Sequence, residues 1–176
     1  MESLAFETAL GFTAFARSGN LVHALTFGHS TERAAARVLR ARLDADLVVD
    51  RVHEPFDDEL VERLFCMSHG QRIDFDDVSV DMTGRTTFQC RVLQECRAIP
   101  WGEFRSYGQL AKAAGRPGAA RAVGSVMASN RTPLIIPCHR VVLASGGAGH
   151  FSAPQGAIMR RRLLALEEQE SSLIAS

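Results

Sequence analysis

The sequence predicts two domains. The first, over residues 1–84, is an α/β domain built on a small antiparallel sheet with helices. The second, over residues 85–176, is mainly helical and contains a helix-turn-helix. Three observations lead there. Apolar and polar residues alternate through residues 1–28, which is the period of a half-buried strand. Two short helix patterns joined by a glycine-containing turn lie between Ser106 and Ala128. The charge also changes sign along the chain. Residues 1–84 carry eight basic and fifteen acidic side chains, and residues 85–176 carry twelve basic and five acidic, so a formal net charge of zero hides two opposite halves.

At 176 residues the chain is long enough for one large or two small cores. Phe6 to Ala16 and Leu21 to Phe27 read as two strands joined by a turn at Ser18-Gly19-Asn20. Thr31 to Leu43 reads as a helix capped by Ser30 or Thr31, with apolar positions at Ala34, Val38 and Ala41. Leu47-Val48-Val49 is a short strand candidate. Asp57 to Cys66 reads as a second helix whose acidic first turn suits the helix dipole. Phe75 to Met82 alternates again and predicts a further strand. Cys66-x-x-His69 has a metal-ligand spacing, but no second pair accompanies it and His23, His29 and His53 are scattered, so no metal is expected. This half is expected to support rather than react.

Thr83-Gly84-Arg85-Thr86 marks the domain boundary. A helix from Thr87 to Ala98 follows, stopped by Pro100, with Phe88, Val92, Leu93 and Cys96 on one stripe. Ser106-Tyr107-Gly108-Gln109 has the spacing of a capping box and starts a helix that runs to about Ala114. Gly115-Arg116-Pro117-Gly118 is a compact turn, and a second helix spans Ala119 to Ala128. Two short helices around a glycine-containing turn match a helix-turn-helix. Ala119, Ala120, Ala122, Gly124, Ser125 and Ala128 give the second helix small side chains around one long basic residue, Arg121. Such a helix lets another surface approach closely, whether a neighbouring helix or a nucleic-acid groove. Ala157 to Glu168 reads as a last helix, with Arg160-Arg161-Arg162 solvated on it.

The charge pattern fits a second domain that faces a polyanion, although opposite charges also serve solubility and docking. Lys112 is the only lysine, and arginine suits phosphate and base recognition. There is no secretory signal and no apolar run long enough to span a membrane, so Cys66, Cys90, Cys96 and Cys138 read as reduced thiols of a cytoplasmic protein.

The chemistry centres on Leu134-Ile135-Ile136-Pro137-Cys138-His139-Arg140-Val141-Val142. Proline fixes its own backbone and holds Ile136 extended, which puts Cys138 at the mouth of a pocket just past a buried run. In an extended chain His139 points away from Cys138, so a water would bridge thiol and imidazole. An imidazole near a thiol favours the nucleophilic thiolate. A lone cysteine is more often core packing, and the flanks are what single this one out.

Those flanks resemble the O6-alkylguanine-DNA alkyltransferases. The resemblance rests on Ala119-Ala120-Arg121-Ala122-Val123-Gly124, on Met127, Asn130 and Pro133, and on the Ile136-to-Val142 run. Tyr107 and Leu163-Leu164-Ala165-Leu166-Glu167 fall where that family has a tyrosine and a glutamate. It covers about Phe88 to Glu168.

The resemblance implies a ribonuclease-H-like N-terminal domain and a winged helix-turn-helix C-terminal domain. It implies repair of O6-alkylguanine, and of O4-alkylthymine, by base flipping and irreversible, stoichiometric transfer of the alkyl group to Cys138. Glu167 would orient His139, and His139 would polarise a water that takes the proton of Cys138. Arg121 would replace the flipped nucleotide, Tyr107 would help rotate it, and Arg116 and Gln89 would touch DNA. Asn130 would act as a hinge, and Tyr107, Met127, Val141, Phe151 and Ser152 would form the pocket.

Phe151 departs from the tyrosine found in many relatives, which leaves Tyr107 and the backbone near Ser152 as donors to the guanine oxygen. Some relatives carry a structural zinc in the first domain, but its ligand pattern is absent here. The expected partner is double-stranded DNA containing alkylated bases. No cofactor, membrane or obligatory protein partner is expected. The protein would act as a monomer, associated with the nucleoid, or nuclear in a eukaryote. A lesion sensor would lack the reactive cysteine, and a thiol hydrolase would have no use for a helix-turn-helix.

Overall fold

The computed structural model describes residues 1–43, 49–51, 58–146 and 151–174, with side chains described as far as 168. Leu47, Val48, His53, Asp57, Gly147, Ala148, Gly149 and His150 lie outside the described residues. The chain forms two compact units, Met1–Asp81 and Met82–Ser176.

The first unit is built on three antiparallel strands, β1 (Glu2–Thr8), β2 (Gly11–Ser18) and β3 (Leu21–His29). The expected strand from Phe6 to Ala16 is thus two strands. The break falls at Gly11, whose φ of 105° lies in the region that glycine tolerates and whose Cβ would meet the His29 carbonyl at 2.8 Å. The Thr8 hydroxyl closes the turn by donating to the Gly11 carbonyl at 2.7 Å. The alternation of Phe6 to Ala16 runs on through this turn, so the pattern alone concealed it.

Helix α1 (Glu32–Leu43) packs on the face that presents Ala5, Ala14, Ala16 and Ala24, using Ala35 and Leu39. Alanine on both sides lets the helix lie close to the sheet. Two-residue edge strands complete it: β4 (Asp50–Arg51) pairs parallel with β1, and β5 (Ser79–Val80) pairs parallel with β3. The sheet is therefore small as expected but five-stranded and mixed, in the order β4-β1-β2-β3-β5, rather than purely antiparallel. Its edges are reached across helices, a connection that delivers parallel strands, whereas hairpins deliver antiparallel ones.

Helix α2 (Glu59–Ser68) starts at Asp58, whose carboxylate accepts from the Leu60 and Val61 amides. The strand expected over Phe75 to Met82 shrinks to β5, because Val78 N–H donates back to the Phe75 carbonyl at 2.9 Å and turns the chain.

In the second unit, α3 (Thr87–Arg97) buries Val92, Leu93 and Cys96 and opens on a capping box between Thr86 and Gln89. Strand β6 (Arg105–Ser106) leads directly into α4 (Tyr107–Ala113), capped by Ser106 and Gln109 as the spacing predicts. The turn uses Gly115 and Gly118 at φ of 81° and 87°, and α5 (Ala120–Ala128) follows. After it the chain enters a 3₁₀ turn at Cys138–Arg140, then β7 (Val141–Val142), and finally α6 (Ala157–Ile174). β6 and β7 pair in parallel, Arg105 with Val141 and Ser106 with Val142. That short ladder ties the start of α4 to the residues just past Cys138. No helix among the described residues is long and apolar enough to cross a membrane.

Candidate active site

Cys138 is 2 % exposed and opens into a cavity of about 400 Å³ in the second unit. The volume suits a small planar ligand. Most of the wall is apolar or small: Ala120, Gly124, Met127, Ala128 and Phe151. Tyr107, Arg121, Ser152 and Arg160 supply its polar groups. Four elements contribute. The β6–β7 ladder sets Tyr107 against the Cys138 turn, α5 brings Arg121, Gly124 and Met127, and α6 brings Arg160.

Cys138 does not lie in extended chain, as Pro137 had suggested. The Cys138 amide donates to the Ile136 carbonyl at 2.8 Å and the Arg140 amide to the Pro137 carbonyl at 2.9 Å, curling the segment into one tight turn. Leu134, at φ of 75°, prepares the bend. Such a turn does not alternate sides strictly, so the spacing argument for opposite faces of Cys138 and His139 fails.

Asn130 is buried between α5 and this segment. Its amide Nδ2 donates to the Ile136 carbonyl at 2.9 Å, and its Oδ1 accepts from the Thr132 amide at 3.0 Å. Side-chain groups thus satisfy backbone that no helix or ladder serves.

Behind the thiol lies a buried charge cluster. His139 Nε2 donates to Glu167 Oε1 at 2.7 Å. Arg140 grips the same carboxylate through Nε at 3.0 Å to both oxygens and through Nη2 at 3.0 Å, and reaches the Ile99 carbonyl through Nη1 at 2.6 Å. The Gly102 amide donates to Glu167 Oε2 at 3.0 Å.

Burial alone would push the Glu167 carboxyl up. The hydrogen bonds and positive charge of His139 and Arg140 outweigh it and hold the group at about 2. Burial drives the His139 imidazole the other way, below its ordinary value, against the pull of Glu167 and with help from Arg140 and Arg160. The pair therefore rests as a neutral imidazole against an ionised carboxylate, with Arg140 as the compensating charge. Because Nε2 carries the proton toward Glu167, Nδ1 is the basic nitrogen, and it is buried with no hydrogen-bond partner. Cys96 is fully buried, and burial, with Cys138 nearby, pushes its thiol well up. Cys138 has the cavity and Cys96 does not.

One residue expected in the pocket and two expected to touch DNA lie away from the cavity. Val141 is fully buried in β7 behind the wall and is not part of the lining. Gln89 spends its side chain on the α3 capping box. Arg116 is exposed in the turn with its guanidinium 4.8 Å from the Phe88 ring centre.

Two functional candidates escaped the sequence reading. Arg140 stands inside the quoted motif but had no role assigned. Arg160, expected to be solvated with its neighbours, is 1 % exposed, while Arg161 and Arg162 are exposed. The signal was its register: Arg160 stands three residues before Leu163 and seven before Glu167, on the same face of α6.

A family model for the 6-O-methylguanine DNA methyltransferase, DNA binding domain, matches residues 87–169. A methylated-DNA–protein-cysteine methyltransferase of Mycolicibacterium paratuberculosis is 41 % identical over 111 residues, which is 63 % of this chain and 65 % of that protein. The protein of the same name from Mycobacterium leprae is 40 % identical over 118 residues, 67 % of this chain and 68 % of its own length. The structure of Mycobacterium tuberculosis OGT in complex with DNA superposes with a TM-score of 0.76 at 31 % identity, covering 96 % of this chain and 94 % of that one. On its sequence and its fold, the chain belongs to the O6-methylguanine-DNA methyltransferase family.

Proposed function

We propose that this protein repairs O6-alkylguanine, and O4-alkylthymine, in double-stranded DNA by turning the base out of the duplex and moving the alkyl group to its own Cys138. The observation that carries this reading is the pairing of a cavity-facing thiol with the buried His139–Glu167 couple, in a chain whose relatives are named for methyl transfer from DNA to a cysteine. A base inside a stack cannot bring its alkyl carbon in line with a recessed thiol, so extrusion is required.

In this reading the α4–α5 pair meets the duplex as part of a winged helix-turn-helix. The first unit is ribonuclease-H-like, with three antiparallel strands followed by a helix. Arg121, exposed at the cavity edge, fills the gap left by the flipped nucleotide and offsets part of the unstacking, a few kcal/mol. Arg116 contacts a phosphate. Met127 and Phe151 flank the base. Tyr107 and the backbone at Ser152 bond its polar edge.

The neutral His139, oriented by Glu167, takes the proton of Cys138 at Nδ1 through a water. The thiolate sulfur forms a bond to the alkyl carbon, the carbon–O6 bond breaks, and its electron pair stays on the guanine, which then gains a proton. A thioether has no carbonyl for water to attack, so Cys138 is not regenerated and each molecule acts once. The protein needs no cofactor or protein partner and works as a monomer.

Intact-protein mass spectrometry after mixing with a duplex holding one O6-methylguanine tests this. The expected result is a gain of one methyl on Cys138, saturating at one per protein and absent from Cys138→Ala. Duplex binding without any methyl gain would replace the transfer reading with lesion sensing.

A further inference from the structure

The buried arginine of the cavity has no part in the scheme above. Among the described residues, Arg160 is the largest side chain buried to within 2 %. It nevertheless lines the same cavity as Cys138. Its guanidinium carbon lies 4.9 Å from the ring centre of Phe151, and its Nη2 stands 3.4 Å from the Tyr107 hydroxyl oxygen. The planar fork is thus held between two aromatic residues of the wall, one by stacking and one by a hydrogen bond. Met159 and Leu163, both buried on α6, anchor the helix on either side.

We propose that Arg160 is a catalytic residue of the alkyl transfer, stabilising the guanine as it departs. The inference rests on Cys138 being the alkyl acceptor. When the carbon–O6 bond breaks, its electron pair leaves negative charge on the guanine oxygen and the ring. Apart from Arg121, the wall otherwise offers the Tyr107 and Ser152 hydroxyls, backbone amides and apolar groups to receive that charge. Arg121 is exposed to solvent, where water screens it. Arg160 is shielded, and a charge in a dry site acts more strongly on developing charge than the same charge in water.

The position of Phe151 fits this role. A tyrosine there would place a hydroxyl on the ring against which Arg160 stacks. Here the ring offers only its face, and the guanidinium supplies the hydrogen-bond donors. Arginine cannot give up its proton, so the charge is present throughout the reaction.

Burial is the main cause that keeps His139 neutral and ready to accept a proton, and Arg160 adds the smallest of the influences on it. A group acting only through His139 would change the reactivity of the thiol toward every electrophile. A group acting on the departing guanine would change only reactions in which guanine departs. This difference separates the two roles.

The test compares two alkylations of Cys138 in wild type, Arg160→Met and Arg160→Lys. One is single-turnover methyl transfer from an O6-methylguanine duplex. The other is methylation by methyl iodide, read at the Cys138 peptide, whose iodide leaving group needs no hydrogen bond. For Arg160→Met, transfer from the duplex should fall about 100-fold, the usual loss of one preorganised donor, with methyl iodide reactivity and duplex affinity within about twofold of wild type. Arg160→Lys keeps a cation without the planar fork and should lie in between. It also decides the question if the methionine variant does not fold.

Equal losses with both electrophiles, or no loss with the duplex, would overturn the proposal while the transfer reading stands. A wild-type protein that takes methyl iodide but never the duplex methyl would overturn both.

Discussion

Glu167 gathers the charges behind the thiol. One carboxylate holds the imidazole of His139, the guanidinium of Arg140 and the amide of Gly102. Exchanging it for Gln keeps the shape and removes the charge, leaving Arg140 buried without its counterion, which costs about 3–5 kcal/mol. The amide also tends to reverse the tautomer of His139, and methyl transfer should fall at least about 100-fold.

The pH dependence follows with definite sign. Glu167 is held at about 2, below its ordinary 4.5. Its contribution, about 3 kcal/mol, is complete above the ordinary value and is lost as pH falls toward 2. His139 is also depressed, so it contributes above its ordinary 6.5, and that contribution starts to fade at higher pH than the Glu167 one. Urea unfolding followed at Trp101, the single tryptophan and a member of the second unit, should show stability declining in two stages on acidification. Glu167→Gln should abolish the lower stage. A variant with the wild-type profile below pH 4.5 would show that the carboxylate contributes nothing.

At the scale of elements, what was legible depended on how local the signal was. The capping box at Ser106 lies within four residues of sequence, and helix α4 begins where it says; a second box, at Thr86 and Gln89, is just as local but went unread. The edge strands β4 and β5 are two residues each and exist only through partners far along the chain, so no local pattern announces them. The residues that meet at the cavity were largely legible because they cluster around one motif. Val141 and Arg160 were misplaced for the same reason: which side a residue presents depends on the packing of its whole segment.

Asn130 shows how an element is held by one side chain. It joins the end of α5 to the Cys138 turn through Ile136 and Thr132. Asn130→Ala leaves the buried Thr132 amide unserved and takes from the Ile136 carbonyl one of its two donors, the Cys138 amide remaining, at a cost of about 1–3 kcal/mol. Asn130→Asp keeps the acceptor for Thr132 but sets an oxygen against the Ile136 carbonyl, so it too should lose stability. Chemical denaturation of both variants checks this. Stability within about 0.5 kcal/mol of wild type would remove Asn130 as the tie between the segments.

On the scale of the whole molecule, a net charge of zero taken alone would make duplex binding indifferent to salt. The distribution argues otherwise. The basic excess belongs to the residues that carry α4, α5 and the cavity, and the acidic excess to the sheet unit. Screening acts over about 8–10 Å at ordinary ionic strength, so a phosphate feels the arginines beside it and not the sum over the chain. Each phosphate neutralised releases counterions and lowers the slope of log affinity against log salt by about 0.9. Two such contacts already cost about tenfold between 50 and 200 mM salt. Affinity for an undamaged duplex, measured by fluorescence anisotropy across that range, should fall by at least this factor. Arg116→Ala should flatten the slope by about one unit without changing methyl iodide reactivity at Cys138. Exchanging Glu62, on the acidic unit, for Gln should leave the slope unchanged. If affinity tracks the net charge of the variants regardless of which unit carries the change, local recognition of phosphate by the helix-turn-helix is the wrong picture, and the division of charge between the two units serves solubility alone.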